Sequence, residues 1–152
     1  MINFAIVGAG AIAKLMATTI KMMNKGGDES VKLYAIASRS LEKAKEFAKE
    51  FGIEKAYGSY EELYNDPAIN LVYIATPHNF HYEQTKACLE HGKHVLCEKA
   101  FTVNAKEAKE LIDLSKEKKL LLAEAIWTRY QPMRQIINDV ISSGIVGPAY
   151  MI

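Results

Sequence analysis

The stretch Asn3-Phe4-Ala5-Ile6-Val7-Gly8-Ala9-Gly10-Ala11-Ile12-Ala13 decides the fold. An apolar run ends at Val7 and passes directly into a G-x-G-x-x-A form of the dinucleotide fingerprint. Gly8 permits the tight turn, Gly10 lets backbone approach a pyrophosphate with no Cβ in the way, and Ala13 allows close helix–strand packing. The N–H groups of Ala11 and Ile12 then open a helix whose positive end suits phosphate. Glycine-rich strand–helix turns also occur without ligands. Here the turn opens the first strand–helix–strand unit, where the binding mechanism needs it.

Outward from this turn, short apolar runs alternate with stretches of helical period. The runs are Asn3–Val7, Val31–Ala37, Leu71–Ala75, His94–Cys97 and Leu120–Ala123. Their near-continuous hydrophobicity suits strands covered on both faces, as in a parallel sheet. Ala44, Phe47, Ala48 and Phe51 form one helical face, with Ser40 as its cap and Gly52 as its stop. Ala108, Leu111, Ile112 and Ser115 form another, opened by Asn104 with Glu107 three residues on. Ala56-Tyr57 and Tyr60–Tyr64 predict a very short strand and a short helix. The alternation predicts an α/β fold, a Rossmann-type doubly wound parallel sheet with helices on both faces.

Residues 1–125 are accordingly expected to form the dinucleotide-binding domain. Residues 126–152 read differently: a helix with Met133, Ile136, Ile137, Val140 and Ile141 on one face follows Pro132, and Ala149–Ile152 reads as the start of a strand. A lone strand has nothing to pair with. The segment is therefore expected to lead into a second domain that this chain lacks.

At 152 residues, with 49% hydrophobic and 24% charged residues, the composition is that of an ordinary globular domain. A net charge of +1 argues against a broad nucleic-acid or anionic-membrane footprint. No apolar stretch approaches the roughly 18 residues of a membrane span, and the start lacks a basic signal-peptide region. A cytoplasmic protein is expected. Cys88 and Cys97 lack metal or disulfide spacing, so buried reduced thiols are expected and no metal site is predicted.

The end of the second run bears on which dinucleotide binds. An NAD site wants a carboxylate there for the ribose 2′-hydroxyl. This chain has Ser38-Arg39-Ser40. A guanidinium can pair bidentately with a 2′-phosphate and the serines can add hydroxyl donors, so NADP is favoured over NAD. A surface arginine at a helix start is the alternative.

Further along, Ile74-Ala75-Thr76-Pro77-His78-Asn79-Phe80-His81, Cys97-Glu98-Lys99 and Glu124-Ala125-Ile126-Trp127-Thr128-Arg129 resemble motifs of the Gfo/Idh/MocA family of oxidoreductases. Together with Ala56–Leu63, they look most like its dimeric dihydrodiol dehydrogenase and sugar dehydrogenase branch. The resemblance implies a second, β-sheet domain carrying substrate contacts and the subunit interface. It implies that Lys99 lies beside the nicotinamide and acts as the catalytic group, with Glu98 on the nicotinamide ribose. Ala75, Thr76 and Pro77 would border the cofactor, with Asn79 and His81 as further candidate contacts. Trp127 and Arg129 would reach the nicotinamide end, although a tryptophan anchoring a domain junction is a rival reading. The chain departs from the pattern at Ala100, where the family usually has proline, so the loop loses a fixed φ.

Two functions fit these residues. One is hydride transfer between NADP(H) and a secondary alcohol or hemiacetal carbon of a sugar, polyol or trans-dihydrodiol, in a full-length homo-oligomer. The other is an NADP-binding sensor or regulatory module without catalysis. Lys99 favours the first, because a sensor has no need of an amine at the hydride site.

Overall fold

The computed structural model describes residues 1–148. The expected strand at Ala149–Ile152 lies outside the described residues. Six strands, β1 (Ile2–Val7), β2 (Val31–Ala37), β3 (Lys55–Tyr57), β4 (Leu71–Ile74), β5 (His94–Cys97) and β6 (Leu122–Glu124), form one sheet of order β3-β2-β1-β4-β5-β6. Every pairing is parallel. The helices are α1 (Ala11–Lys25), α2 (Leu41–Phe51), α3 (Tyr60–Tyr64), α4 (His81–Glu90), α5 (Ala105–Glu117) and α6 (Pro132–Ser142). Short 3₁₀ turns precede α4 at His78–Phe80 and α6 at Trp127–Tyr130.

The sheet is buried on both faces. One apolar cluster gathers Val7, Leu63, Val72, Leu89, Val95 and Leu111, and a second gathers Ile6, Ala13, Ala17, Ile36, Phe47 and Tyr73. Alternate residues of β1 thus go to opposite layers, and each fully buried aliphatic side chain contributes roughly 1.5–3 kcal/mol. Cys88 and Cys97 are free and buried in the first cluster, and burial pushes both thiols up, that of Cys97 to about 12.

The helix signals behave as their chemistry requires. The Ser40 side chain accepts from the Lys43 N–H, and Gly52 ends α2 with φ of 70°. Asn104 accepts from the Glu107 N–H at 2.9 Å and donates to the Glu107 carboxylate at 2.9 Å. The last strand needs correction: it starts at Leu122, two residues after the expected Leu120. Lys119 takes φ of 57°, and the Leu120 N–H then donates to Ser115 O at 2.9 Å, closing α5. Leu121 donates its N–H to His94 Nδ1 at 2.8 Å, and its carbonyl accepts from the Val95 N–H at 2.9 Å, which leads the chain into β6.

Behind the first turn, an ionic cluster fastens the β3–α3 edge. Asp66 accepts from Tyr57 Oη at 2.6 Å, Lys55 Nζ at 3.0 Å and the Ala68 N–H at 2.9 Å. Burial alone would raise the Asp66 carboxyl, but these donors outweigh it and hold it at about 2. An unfolded aspartate titrates near about 4. The cluster's stabilisation is therefore complete above about pH 4 and is lost as pH falls toward about 2. Stability measured by urea unfolding should fall across that window, and Asp66→Asn should flatten the fall; an unchanged slope would remove Asp66 as its cause.

The two fingerprint glycines differ sharply. Gly8 has φ of +101°, and a Cβ there would lie 2.9 Å from Ala75 O. At Gly10, φ is −92° and a Cβ would meet nothing within 4 Å. Gly8→Ala should cost at least about 1–3 kcal/mol in strain alone. Gly10→Ala should leave the urea midpoint nearly unchanged, and equal losses in both variants would contradict this reading.

Candidate functional site

All the candidate residues lie along one edge of the sheet because every parallel strand delivers its successor to the same end. The strand order reverses between β1 and β4, and the crevice outside their carboxyl ends is where such sheets take ligands. Gly8 follows β1, Ser38 follows β2, Ala75 follows β4, Glu98 follows β5 and Ala125 follows β6.

The glycine turn is closed by the Gly8 N–H, which donates to Ala37 O at 2.9 Å. Gly10 is the N-cap of α1 and has no side chain to satisfy the first N–H groups. Ala11 and Ile12 are exposed, whereas Ala13 is fully buried against the sheet. The start of a 15-residue helix is thus left with free donors and an open approach. Ala75 is buried and its carbonyl packs on Gly8. This contact supports the turn from behind.

A narrow cleft of about 40 Å³ lies between the β2 and β4 loops, lined by Arg39, Tyr60, Thr76, Pro77, Phe80 and Gln84. The structure therefore brings Arg39 together with Thr76 and Pro77 across 37 residues of sequence. Burial raises the Tyr60 hydroxyl, with the nearby Arg39 charge partly countering it. The Thr76 hydroxyl donates to Gln84 Oε1 at 2.5 Å, which fixes the loop side of the cleft. Sequence reasoning missed Tyr60, Phe80 and Gln84. The Ser59 cap, which accepts from the Glu62 N–H and places Tyr60 first in α3, was the available signal. Ser38 is buried with its oxygen accepting from the Ser40 N–H at 3.4 Å. The Ser40 hydroxyl donates to Glu42 at 2.9 Å and accepts from the Lys43 N–H at 3.3 Å.

At the other end, a wider cleft of about 290 Å³ is lined by Ile12, Leu15, Met16, Thr19, Tyr73, Glu98 and Trp127. Glu98 is held twice, by Tyr73 Oη donating to Oε1 at 2.5 Å and by the Lys99 N–H donating to Oε2 at 3.2 Å. Burial, and then the Glu98 carboxylate, push the Tyr73 hydroxyl well above the usual tyrosine range, so it stays a donor. Sequence reasoning assigned Tyr73 no part, because a tyrosine in a buried strand reads as core. Lys99 is exposed beside this cleft's carboxylate, and the peptide joining it to Ala100 is cis. The Phe101 N–H donates to Glu124 Oε1 at 2.9 Å, which ties the lysine-bearing loop to β6.

Trp127 is 64% exposed and forms a wall of the wider cleft. Arg129 is exposed in the same turn, where its N–H donates to Ile126 O at 2.9 Å and its carbonyl accepts from Arg134 at 3.5 Å. Asn79 is exposed in the turn before α4. His81 is 1% exposed, and both ring nitrogens face backbone carbonyls.

With this geometry in place, residues 2–125 match the model of the Gfo/Idh/MocA family, an oxidoreductase family with an NAD-binding Rossmann fold. The chain is 41% identical over 146 residues to trans-1,2-dihydrobenzene-1,2-diol dehydrogenase of Bos taurus, covering 96% of this chain and 43% of that protein. It is 40% identical over 156 residues to D-xylose 1-dehydrogenase (NADP(+)) of Hypocrea jecorina, covering 98% of this chain and 40% of that protein. Among solved structures, a 3-ketoreductase from Actinomadura kijaniata in complex with NADP superposes with a TM-score of 0.85 at 29% identity, over 96% of this chain and 45% of that one. A levoglucosan dehydrogenase in complex with NADH gives a TM-score of 0.86 at 29% identity, over 96% of this chain and 40% of that one. The chain thus spans less than half the length of these relatives. The fingerprint turn, the strand order and the matched residues together place the chain in the Gfo/Idh/MocA family of oxidoreductases, in its NAD-binding Rossmann domain.

Proposed function

We propose that this chain is the NADP-binding half of an enzyme that moves hydride between NADP(H) and a secondary alcohol or hemiacetal carbon of a sugar, polyol or trans-dihydrodiol. The observation that carries the reading is the gathering, on one sheet edge, of an uncapped helix start, an Arg39 cleft and the Glu98–Lys99 pair. Residues 1–125 are the cofactor domain, and residues 126–152 lead toward a second domain. The exposed apolar face of α6, with Met133, Ile136, Ile137, Val140 and Ile141, supports that division. No helix among the described residues is long and apolar enough to cross a membrane. We take the protein to be cytoplasmic and homo-oligomeric at full length, with no nucleic-acid partner.

In this reading the N–H groups of Ala11 and Ile12 hold the pyrophosphate, with Gly8 and Gly10 shaping the turn. Arg39 pairs with the 2′-phosphate, supported by Ser38, while Thr76 and Pro77 border the adenosine half and Asn79 stands at the rim. Glu98 accepts from a ribose hydroxyl. Trp127 and Ile12 form the wall at the nicotinamide end, with Arg129 beyond them. The bound cofactor supplies the hydride chemistry. Lys99 holds the substrate oxygen and exchanges its proton as the carbon is oxidised or reduced.

Calorimetry should show tighter binding of NADPH than of NADH to the chain. Arg39→Ala should weaken NADPH by about 1.5–3 kcal/mol, the worth of a charged hydrogen bond, and leave NADH nearly unchanged. Equal affinities in the unaltered chain would overturn the cofactor assignment. In the full-length enzyme, Lys99→Met should lower kcat by about 10²–10⁴ with little change in NADPH affinity. Retained kcat with lost cofactor affinity would instead make Lys99 a cofactor ligand.

A further inference from the structure

We propose that His81 is a positioning residue that straps the loop after β4 to the loop bearing Lys99. The ring opens α4 and is 1% exposed, so solvent cannot replace its bonds. Nε2 lies 2.9 Å from Thr76 O, five residues back, and Nδ1 lies 2.8 Å from Ala100 O, nineteen residues ahead. Both partners are carbonyl oxygens, which only accept. One ring thus lies within hydrogen-bonding distance of both loops. One side chain therefore fixes a carbonyl in the Arg39 cleft's Thr76 and the carbonyl that directly follows Lys99.

The surroundings give this strap a specific task. The loop from Glu98 to Phe101 is otherwise held at its ends, by Tyr73 and the Lys99 N–H on Glu98 and by the Phe101 N–H on Glu124. His81 supplies the hold at its middle, on Ala100. The Thr76 end is tied in turn to Gln84, one helical turn along α4 from His81. The two halves of the candidate site, the Arg39 cleft and the Glu98–Lys99 end, thus share one buried imidazole. Its bearing on catalysis rests on the reading of Lys99 given above, but the strap itself is a property of the loops.

Two conservative variants separate the two ends of the ring. An asparagine amide nitrogen stands at the same bond distance from Cβ as Nδ1, and a glutamine amide nitrogen as Nε2. His81→Asn should keep the bond to Ala100, whereas His81→Gln should keep the bond to Thr76. Amide hydrogen exchange on the full 152-residue chain reads the outcome without substrate. In His81→Gln, the Phe101 amide should exchange about tenfold faster, as expected for one lost hydrogen bond, while the Phe80 amide changes little. In His81→Asn the pattern should reverse. Equal acceleration of both amides in both variants would reduce His81 to general packing and overturn the strap, as would an unchanged Phe101 amide in His81→Gln.

A second measurement needs no substitution. In the unaltered chain, Phe80 and Phe101 sit on the two strapped loops and should open together, with one common dependence on low urea. Independent opening would overturn the proposal. Failure of the Lys99→Met prediction would remove the catalytic reading and leave these exchange results standing. The reverse failure would remove the strap and leave Lys99 in place.

Discussion

The structure depends on the approach of two chain segments at the carboxyl ends of β1 and β4. Gly8 turns there with φ of +101°, and its Cα faces Ala75 O so closely that a methyl group would sit 2.9 Å away. Only glycine meets both conditions without strain. That contact lets α1 start directly over the switch point, with Ala13 fully buried against the sheet and the first N–H groups left free. The donors that would receive a phosphate are thus exposed by the same close packing that joins the central strands.

Around this turn, the rigidity of the site comes from polar bonds between loops. The apolar layers hold the sheet, but they end at the strand termini. Beyond them, Tyr73 reaches from β4 to Glu98, Glu124 reaches from β6 to Phe101, and Gln84 reaches from α4 to Thr76. Each bond links segments at least eight residues apart, and each partner is half-buried or buried, where an unmade hydrogen bond is costly. Side chains at the edge are therefore positioned by neighbours on other strands more than by their own loops.

This division explains what could be read from the sequence. Continuous apolar runs and caps such as Ser40 and Asn104 carry their meaning locally, so strands and helix ends were legible to within a residue or two. The start of β6 was not, because the left-handed turn at Lys119 and the Leu121–His94 bond depend on α5 and β5. Helix α4 lacks an obvious apolar period because His81, Gln84 and Thr85 occupy buried positions. His81 and Gln84 are the ones that meet the site loops. The candidate site was legible where a backbone motif carries it, at Gly8–Ala13, or where an absent carboxylate is informative, at Arg39. It was illegible where a role depends on partners far along the chain, as for Tyr60, Tyr73 and Gln84.

In the proposed reading one sheet edge, from Arg39 to Trp127, receives a single dinucleotide. Mapping backbone amide shifts of the chain on addition of NADPH tests it most directly. Shifts are expected only at Gly8–Ala13, Ser38–Ser40, Thr76–Phe80 and Glu98–Lys99, with Trp127 moving at the far end. Saturating NADPH that shifted amides only around the cleft of Lys55, Tyr57 and Asp66, on the β3–α3 side of the molecule, would contradict it.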